Sequence, residues 1–261
     1  MRMKNKPSPP HITLVGAGPG DAELLTLKAV KAIAQASVLL VDDLVSDDVL
    51  AHASAQARVV HVGKRGGCRS TPQSFIQKMM VQEALNGERV VRLKGGDPFI
   101  FGRGGEEVAY LQSHGIEVSV INGITAGLAG MTSLNVPLTH RDHAHGVVFI
   151  TGHAAPHTAS PIDWVNLART AAQAKLTLVI YMGMKGVQQL QTDLLQGLAA
   201  DTCVAVIHQA SLPAQRHVVC HLSDLEACVK REGLGSPSVI VVGDVLQGLM
   251  QLHQHPNSRS A

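Results

Sequence analysis

Short, uninterrupted apolar strands, each followed by a turn and a helical stretch, constrain this chain more than any other feature. Ile12-Thr13-Leu14-Val15 runs into Gly16, and Val38-Leu39-Leu40-Val41 ends at Asp42-Asp43. Val59-Val60-His61-Val62 ends at Gly63-Lys64-Arg65, Val90-Val91-Arg92-Leu93 precedes Lys94-Gly95, and Val118-Ser119-Val120-Ile121 precedes Asn122-Gly123. A strand with one wet face alternates apolar and polar residues, whereas a strand covered by helices on both faces reads as a continuous apolar run. The first half is therefore predicted to be an α/β layer structure around a mostly parallel five-stranded sheet.

Between the strands, Leu24 to Ala34 carries helical spacing, with Leu24, Leu27, Val30 and Ala34 on one stripe. Pro72 is expected at the first helical position behind a Ser70-Thr71 cap. Glu106 to Ser113 and Thr125 to Leu134 also read as helices. The pattern breaks from Pro137 to Gly146, and a second series of strands follows at Val147 to Ile150, Leu176 to Tyr181, Val204 to Ile207, Val218 to Cys220 and Val239 to Val242. With fewer helices between them, these strands predict a mixed sheet. Ser223-Asp224-Leu225-Glu226 reads as a capping box. The expected organisation is an N-terminal α/β domain over 11–140, a C-terminal α/β domain over 141–248, and flexible tails at 1–10 and 253–261.

Composition limits the function classes. A formal net charge of +2 over 261 residues favours neither nucleic acid nor a membrane surface, so any anion binding has to come from local clusters. Apolar runs stay below the roughly 18 residues of a membrane span, and the opening residues do not resemble a secretory signal. The cysteines, Cys68, Cys203, Cys220 and Cys228, include no C-x-x-C pair, which argues against a zinc knuckle and for reduced thiols in the cytoplasm. His140, His143 and His145 form an H-x-x-H-x-H run, but without a helix or accompanying carboxylates it is expected to hold no metal.

Three glycine-rich segments carry the chemistry. Gly16-Ala17-Gly18-Pro19-Gly20-Asp21 follows a strand and precedes a helix, as a dinucleotide fingerprint does. However, Asp21 stands at the third glycine position, where its charge would oppose a pyrophosphate at the helix N-terminus. The second segment, Gly95-Gly96-Asp97-Pro98 through Gly105, leaves the carboxyl end of a strand, where ligands bind in parallel sheets. Its paired glycines let backbone approach a ligand closely, and Asp97 could receive an ammonium or a ribose hydroxyl. The third is Asn122-Gly123-Ile124-Thr125-Ala126.

In order and spacing these segments, together with Gly63-Lys64-Arg65, Pro137 to Asp142, Thr151-Gly152-His153, Tyr181-Met182-Gly183 and Ser236-Pro237, resemble the uroporphyrinogen III C-methyltransferases of the tetrapyrrole methylase family. The Lys94 to Glu107 run is the most specific of them. The resemblance implies a homodimer of two α/β domains per chain with a cofactor cleft between them. It also implies S-adenosylmethionine as methyl donor, leaving as S-adenosylhomocysteine. The implied reaction is methylation of two ring carbons of uroporphyrinogen III, giving precorrin-2 by way of precorrin-1 for sirohaem and cobalamin synthesis.

The implied cofactor positions are Pro19, Gly95, Gly96, Asp97, Ile100, Thr125, Ala126, Met182 and, less directly, Ala210. A proton acceptor falls on Asp42 and a proton donor on Lys64. Asp42 equally suits a turn or a cap, and Lys64 an ordinary loop charge. The tetrapyrrole substrate is a polycarboxylate, so several of Lys64, Arg65, Arg69, Lys94, Arg103, His140 and Arg141, all in loops at predicted strand ends, are expected to line its binding side, although any single one suits an ordinary solvated loop charge. Arg65, Arg103, His140 and Arg141 are the principal candidates.

Two positions depart from the family pattern. Asn122 replaces the usual proline before Gly-Ile-Thr-Ala and is expected to leave that loop freer, and Val41 replaces a tyrosine next to Asp42. Other readings stay open at this point. They are a methyltransferase of the same fold acting on a later corrin intermediate, diphthine or ribosomal RNA ribose; a nucleotide-dependent oxidoreductase; and, least favoured, a binding module.

Overall fold

A computed structural model describes residues 9–63, 71–153 and 162–254. The chain divides into two compact units, 1–125 and 126–261. The division falls earlier than the boundary expected near residue 140. The helix Ala126–Ser133 packs on the second sheet, where a side chain at Gly127 would strike Val179 and the Tyr181 hydroxyl and one at Gly130 would meet Ile207 and Ala210.

The first unit runs β1 (His11–Gly16), α1 (Leu27–Gln35), β2 (Val38–Val41), α2 (Asp47–Leu50), β3 (Arg58–His61), α3 (Gln73–Leu85), β4 (Val90–Lys94), α4 (Gly104–Ser113) and β5 (Glu117–Ile121). Its five strands pair in the order β3-β2-β4-β1-β5, every pair parallel. Parallel pairing puts all the strand carboxyl ends on one edge, with Gly16 opposite Lys94 and Val41 opposite Leu93.

Period-two alternation divides the sheet's side chains between two buried faces. Val15, Leu39, Val41, Val91 and Leu93 pack with Ala29 and Ile33 of α1. Ile12, Leu14, Val38, Leu40 and Val90 pack with Ile76 and Met80 of α3 and Leu111 of α4. Burying each such Leu or Ile contributes about 1.5–3 kcal/mol.

Two expectations about helices change. The Thr26 hydroxyl accepts from the Ala29 amide at 3.1 Å, so α1 starts only at Leu27. Its buried stripe becomes Ala29–Ile33, and Leu27, expected inside, is 81% exposed. Pro72 stands before α3 as its N-cap rather than at its first helical position. Ser70 of the expected cap lies outside the described residues.

The second unit runs α5 (Ala126–Ser133), β6 (Gly146–Thr151), α6 (Trp164–Ala174), β7 (Leu176–Tyr181), α7 (Val187–Leu194), β8 (Cys203–His208), β9 (Arg216–His221), α8 (Leu225–Arg231), β10 (Ser238–Val242) and α9 (Gln247–Gln254). The sheet order is β6-β7-β10-β8-β9. β6 and β7 are parallel, and β10 and β9 run antiparallel to their neighbours, so the sheet is mixed as expected. Leu178, Ile180, Val204, Val206, Ile240 and Val242 face α6, α7 and α8, while Val179, Ala205, Ile207, Val239 and Val241 pack with Met131 of α5 and with Leu246.

The expected capping box does not form. The Glu226 amide donates to Gln191 Oε1 at 2.7 Å, and Gln191 Nε2 donates to the Ser223 carbonyl at 2.7 Å. A side chain of α7 thus does the work assigned to Ser223. Among the described residues no helix is long and apolar enough to cross a membrane.

Candidate active site

The three glycine segments meet at the carboxyl edge of the first sheet. The Ala17 amide donates to the Lys94 carbonyl at 2.8 Å, and Gly18 and Gly96 exchange amide-to-carbonyl bonds at 3.2 and 2.6 Å. Gly18 and Gly96 hold φ of +73° and +67°, conformations that an L side chain strains to adopt. A side chain at Gly123 would lie 2.2 Å from the Gly96 carbonyl oxygen and under 3 Å from Gly16. These three loops therefore touch through bare backbone, and no other residue type fits at the contact.

Asp97 locks the junction. Its Oδ1 accepts from the Phe99 amide at 2.8 Å, and its Oδ2 accepts from the Gly123 amide at 3.1 Å and from Asn122 Nδ2 at 3.2 Å. The carboxylate is nearly buried and serves first as a clasp within the protein. This changes the reading of Asn122. Against the expected loosening stands a bond from the asparagine side chain to Asp97, one that proline cannot make. Ile100 closes a turn onto the Asp97 carbonyl at 3.2 Å, and Thr125 is buried beside Gly96. Pro19 is half-buried in the first loop. Asp21 caps the short helix that follows, accepting from the Glu23 amide at 2.9 Å.

Beside this junction lies a cluster that sequence reasoning did not assemble. Arg92, Lys94 and Glu107 are 1%, 3% and 0% exposed. Arg92 Nη2 donates to Asp42 Oδ1 at 2.8 Å, and its Nη1 donates to the Leu93 and Leu40 carbonyls. Lys94 Nζ lies 3.2 Å from both Glu107 carboxylate oxygens and 3.9 Å from Asp42 Oδ2. Gln73 Nε2 donates to Glu107 Oε1 at 2.8 Å. The alternation that buries Val90 and Leu40 against α3 and α4 carries Arg92, Lys94 and Asp42 onto that same face at its carboxyl end.

Burial pushes the Lys94 ammonium below the ordinary lysine range, and the Arg92 charge adds to this, against the opposing pull of Glu107 and Asp42. Lys94 belongs to the set of loop charges from which several substrate-facing groups are expected. It is instead sealed inside and satisfied by Glu107. The sequence did carry a clue to the cluster, since Arg92 interrupts a strand that is otherwise apolar on both faces.

The remaining candidates fall as follows. Asp42, with its side chain 32% exposed, is the open member of the charged cluster. Arg103 stands at the N-cap of α4 with φ of +58° and forks onto Glu106 at 3.0 and 2.6 Å. That contact holds the Glu106 carboxyl below the usual carboxylate range. Phe99 and Phe101, to which no role was given, flank the same loop with exposed rings. Lys64, Arg65 and Arg69 lie outside the described residues.

In the second unit, Met182 directly follows β7 with φ of +56° and is 49% exposed. The Gly127 amide donates to the Tyr181 hydroxyl at 2.8 Å. Ala126 begins α5, and Ala210 is buried against it near Gly130. His140 and His143 stack at 4.6 Å, and His140 Nδ1 accepts from the Asp142 amide at 3.1 Å. Arg141 is exposed beside them.

Residues 11–226 of the chain match the family model of Tetrapyrrole (Corrin/Porphyrin) Methylases. The chain belongs to the tetrapyrrole methylase family. It is 50% identical to the uroporphyrinogen-III C-methyltransferase of Pseudomonas aeruginosa, over 92% of this chain and 95% of that protein. Among solved structures it is similar to the uroporphyrin-III C-methyltransferase of Thermus thermophilus complexed with S-adenosylhomocysteine, with a TM-score of 0.74, 36% identity, and 90% and 93% of the two chains covered. It is also similar to a cobalt precorrin-4 methyltransferase of cobalamin biosynthesis, with a TM-score of 0.80, 26% identity, and 90% and 95% covered.

Proposed function

We propose that the chain is an S-adenosylmethionine-dependent methyltransferase that methylates two ring carbons of uroporphyrinogen III, giving precorrin-2 by way of precorrin-1. The observation that carries this reading is the junction of Gly16, Gly96 and Gly123 next to a half-open carboxylate, Asp42. The 50% identity to a uroporphyrinogen-III C-methyltransferase over nearly both lengths supports that substrate over a later corrin intermediate. A homodimer, and use of the product for sirohaem or cobalamin, belong to the same reading.

The residues present fit the methyl donor. The carboxyl edge offers bare backbone at Gly95 and Gly96, and the buried Thr125 stands behind them. When bound, S-adenosylmethionine supplies an electrophilic methyl group. The chain's residues supply the rest. The Gly95-Gly96-Asp97 turn, with Pro19, Ile100 and Thr125, holds the donor in a fixed pose, since transfer from a sulfonium depends on alignment more than on acid–base help. In the second unit Ala126, Met182 and Ala210 are the proposed further contacts.

Attack on the methyl group makes the substituted ring carbon quaternary and leaves the macrocycle cationic; a proton then leaves from another position of the ring system, and the part-exposed Asp42 carboxylate accepts it. The Arg103 fork and the exposed Phe99 and Phe101 suit a macrocycle with apolar pyrrole faces and a rim of carboxylates. Lys64 as proton donor and Arg65, His140 and Arg141 as carboxylate ligands complete the proposal.

Incubation with uroporphyrinogen III and S-adenosylmethionine should yield a product that absorbs and fluoresces after oxidation. No product, together with tight NADH binding, would replace this reading with the oxidoreductase one. Asp42→Asn should lower kcat by about 100-fold or more while S-adenosylhomocysteine affinity stays within twofold of wild type. Undiminished turnover would return Asp42 to a structural role.

A further inference from the structure

Four charged side chains form one cluster at the carboxyl end of the face that β2 and β4 present to α3 and α4. Arg92 and Lys94 supply two cations, Asp42 and Glu107 two anions. Three of the four are sealed from water, and Asp42 alone is open. Desolvating each buried ion costs several kcal/mol, so such a cluster stabilises a fold poorly and points to a task at its open end.

The geometry has a direction. Glu107 sits at the dry end, held by Gln73 from α3 and by both cations. The cations span from Glu107 to Asp42, Arg92 by a direct bond of 2.8 Å and Lys94 as an ion pair at 3.9 Å. The Asp42 carboxylate is thereby bound by Arg92 through Oδ1 and faced by Lys94 at Oδ2, while its side chain stays 32% exposed.

We propose that Lys94 is a positioning residue for methyl transfer: fixed by Glu107, its ammonium and the Arg92 guanidinium hold the Asp42 carboxylate aimed at the substrate and balanced in charge. This rests on the reading of Asp42 as proton acceptor. Lys94 acts through Asp42 and touches neither donor nor substrate. The charged groups facing it are Arg92 on its own strand, Glu107 on α4 and Asp42 after β2, with the exposed Glu106 acting at longer range.

The arrangement makes one group in the cluster sensitive to alkaline pH. An arginine stays protonated throughout, whereas Lys94 gives up its proton below the ordinary lysine value of about 10.4. Once neutral, the amine no longer balances Asp42, so kcat should fall as pH rises through that point. Lys94→Arg keeps the charge and removes the titration.

The experiment is the pH profile of kcat for wild type, Lys94→Arg and Lys94→Met, with uroporphyrinogen III and S-adenosylmethionine, alongside S-adenosylhomocysteine affinity for each. Wild type should show an alkaline fall below the lysine range. Lys94→Arg should keep most of kcat and lose that fall. Lys94→Met should lose roughly ten- to hundredfold in kcat, keep KM and S-adenosylhomocysteine affinity within about threefold, and show a flat alkaline side in its residual activity. The methionine variant keeps the test open should the arginine fork not fit. An alkaline fall unchanged in both variants, or wild-type kcat in Lys94→Met, overturns the proposal. Asp42→Asn in the same assay separates the two failures. If Asp42→Asn is inactive while the Lys94 variants keep the wild-type profile, only the positioning role falls. If Asp42→Asn turns over normally, the proton-acceptor reading falls as well.

Discussion

The two sheets have the same number of strands and comparable apolar cores, yet they bury very different side chains. Among the described residues every buried charge, Arg92, Lys94, Asp97 and Glu107, belongs to the first unit. Among its described residues the second buries one polar side chain beyond its apolar core, Thr177, and three free thiols. There, burial pushes the Cys220 thiol up to about 12, with Cys228 adding to the effect, so the group stays protonated and inert. The first sheet tolerates the cost of buried charge at its carboxyl edge, where backbone loops meet. The second is built for packing. Buried charge and nearly pure apolar packing are thus divided between the two sheets.

Substitutions can break or sharpen this contrast. Leu178→Ala, deep in the second core, should cost about 2–5 kcal/mol of stability and leave the pH profile of kcat in place when assayed below its midpoint. Denaturant unfolding and kinetics on the same preparation check both halves, and a moved profile would break the division. Gly123→Ala should cost about 3 kcal/mol, because its new methyl group meets backbone that cannot turn aside. Unlike Leu178→Ala, it should also abolish S-adenosylhomocysteine binding by calorimetry.

Asp97→Ala should cost about 1.5–3 kcal/mol by freeing the Phe99 and Gly123 amides, and should weaken S-adenosylhomocysteine at least tenfold. Unchanged affinity would remove Asp97 from the site. Gln191→Ala should cost about 1 kcal/mol, since it uncaps α8, with no effect on kcat. A measurable loss of turnover there would mean that the α8 cap also tunes the chemistry.

The sequence exposed the period of the structure better than its partners. The strands were legible because continuous apolar runs have few other uses. Strand ends and the mixed character of the second sheet followed from spacing. Ligand loops were legible through glycine, whose presence marks a backbone contact whatever its partner. What stayed hidden depends on contacts across the chain. The phase of α1 follows from Thr26 rather than from the apolar stripe. The cap of α8 comes from Gln191, which no local motif announces. The charged cluster joins β2, β4, α3 and α4, so its members look like unrelated loop or strand charges until the strands pair. Asn122 was read as a loosened proline site because its partner, Asp97, lies on another loop.

The place of β1 in its sheet also bears on how the chain is made. β1 sits between β4 and β5, so neither of its partners is the strand that follows it in sequence. On a ribosome adding roughly 5–20 residues per second, Ile12-Thr13-Leu14-Val15 emerges several seconds before Val90-Val91 and longer still before Val118. Over that interval a bare apolar strand has no native neighbour, and such segments are the ones that chaperones shield. The arrangement that brings three distant glycine loops together therefore makes β1 wait for partners synthesised long after it.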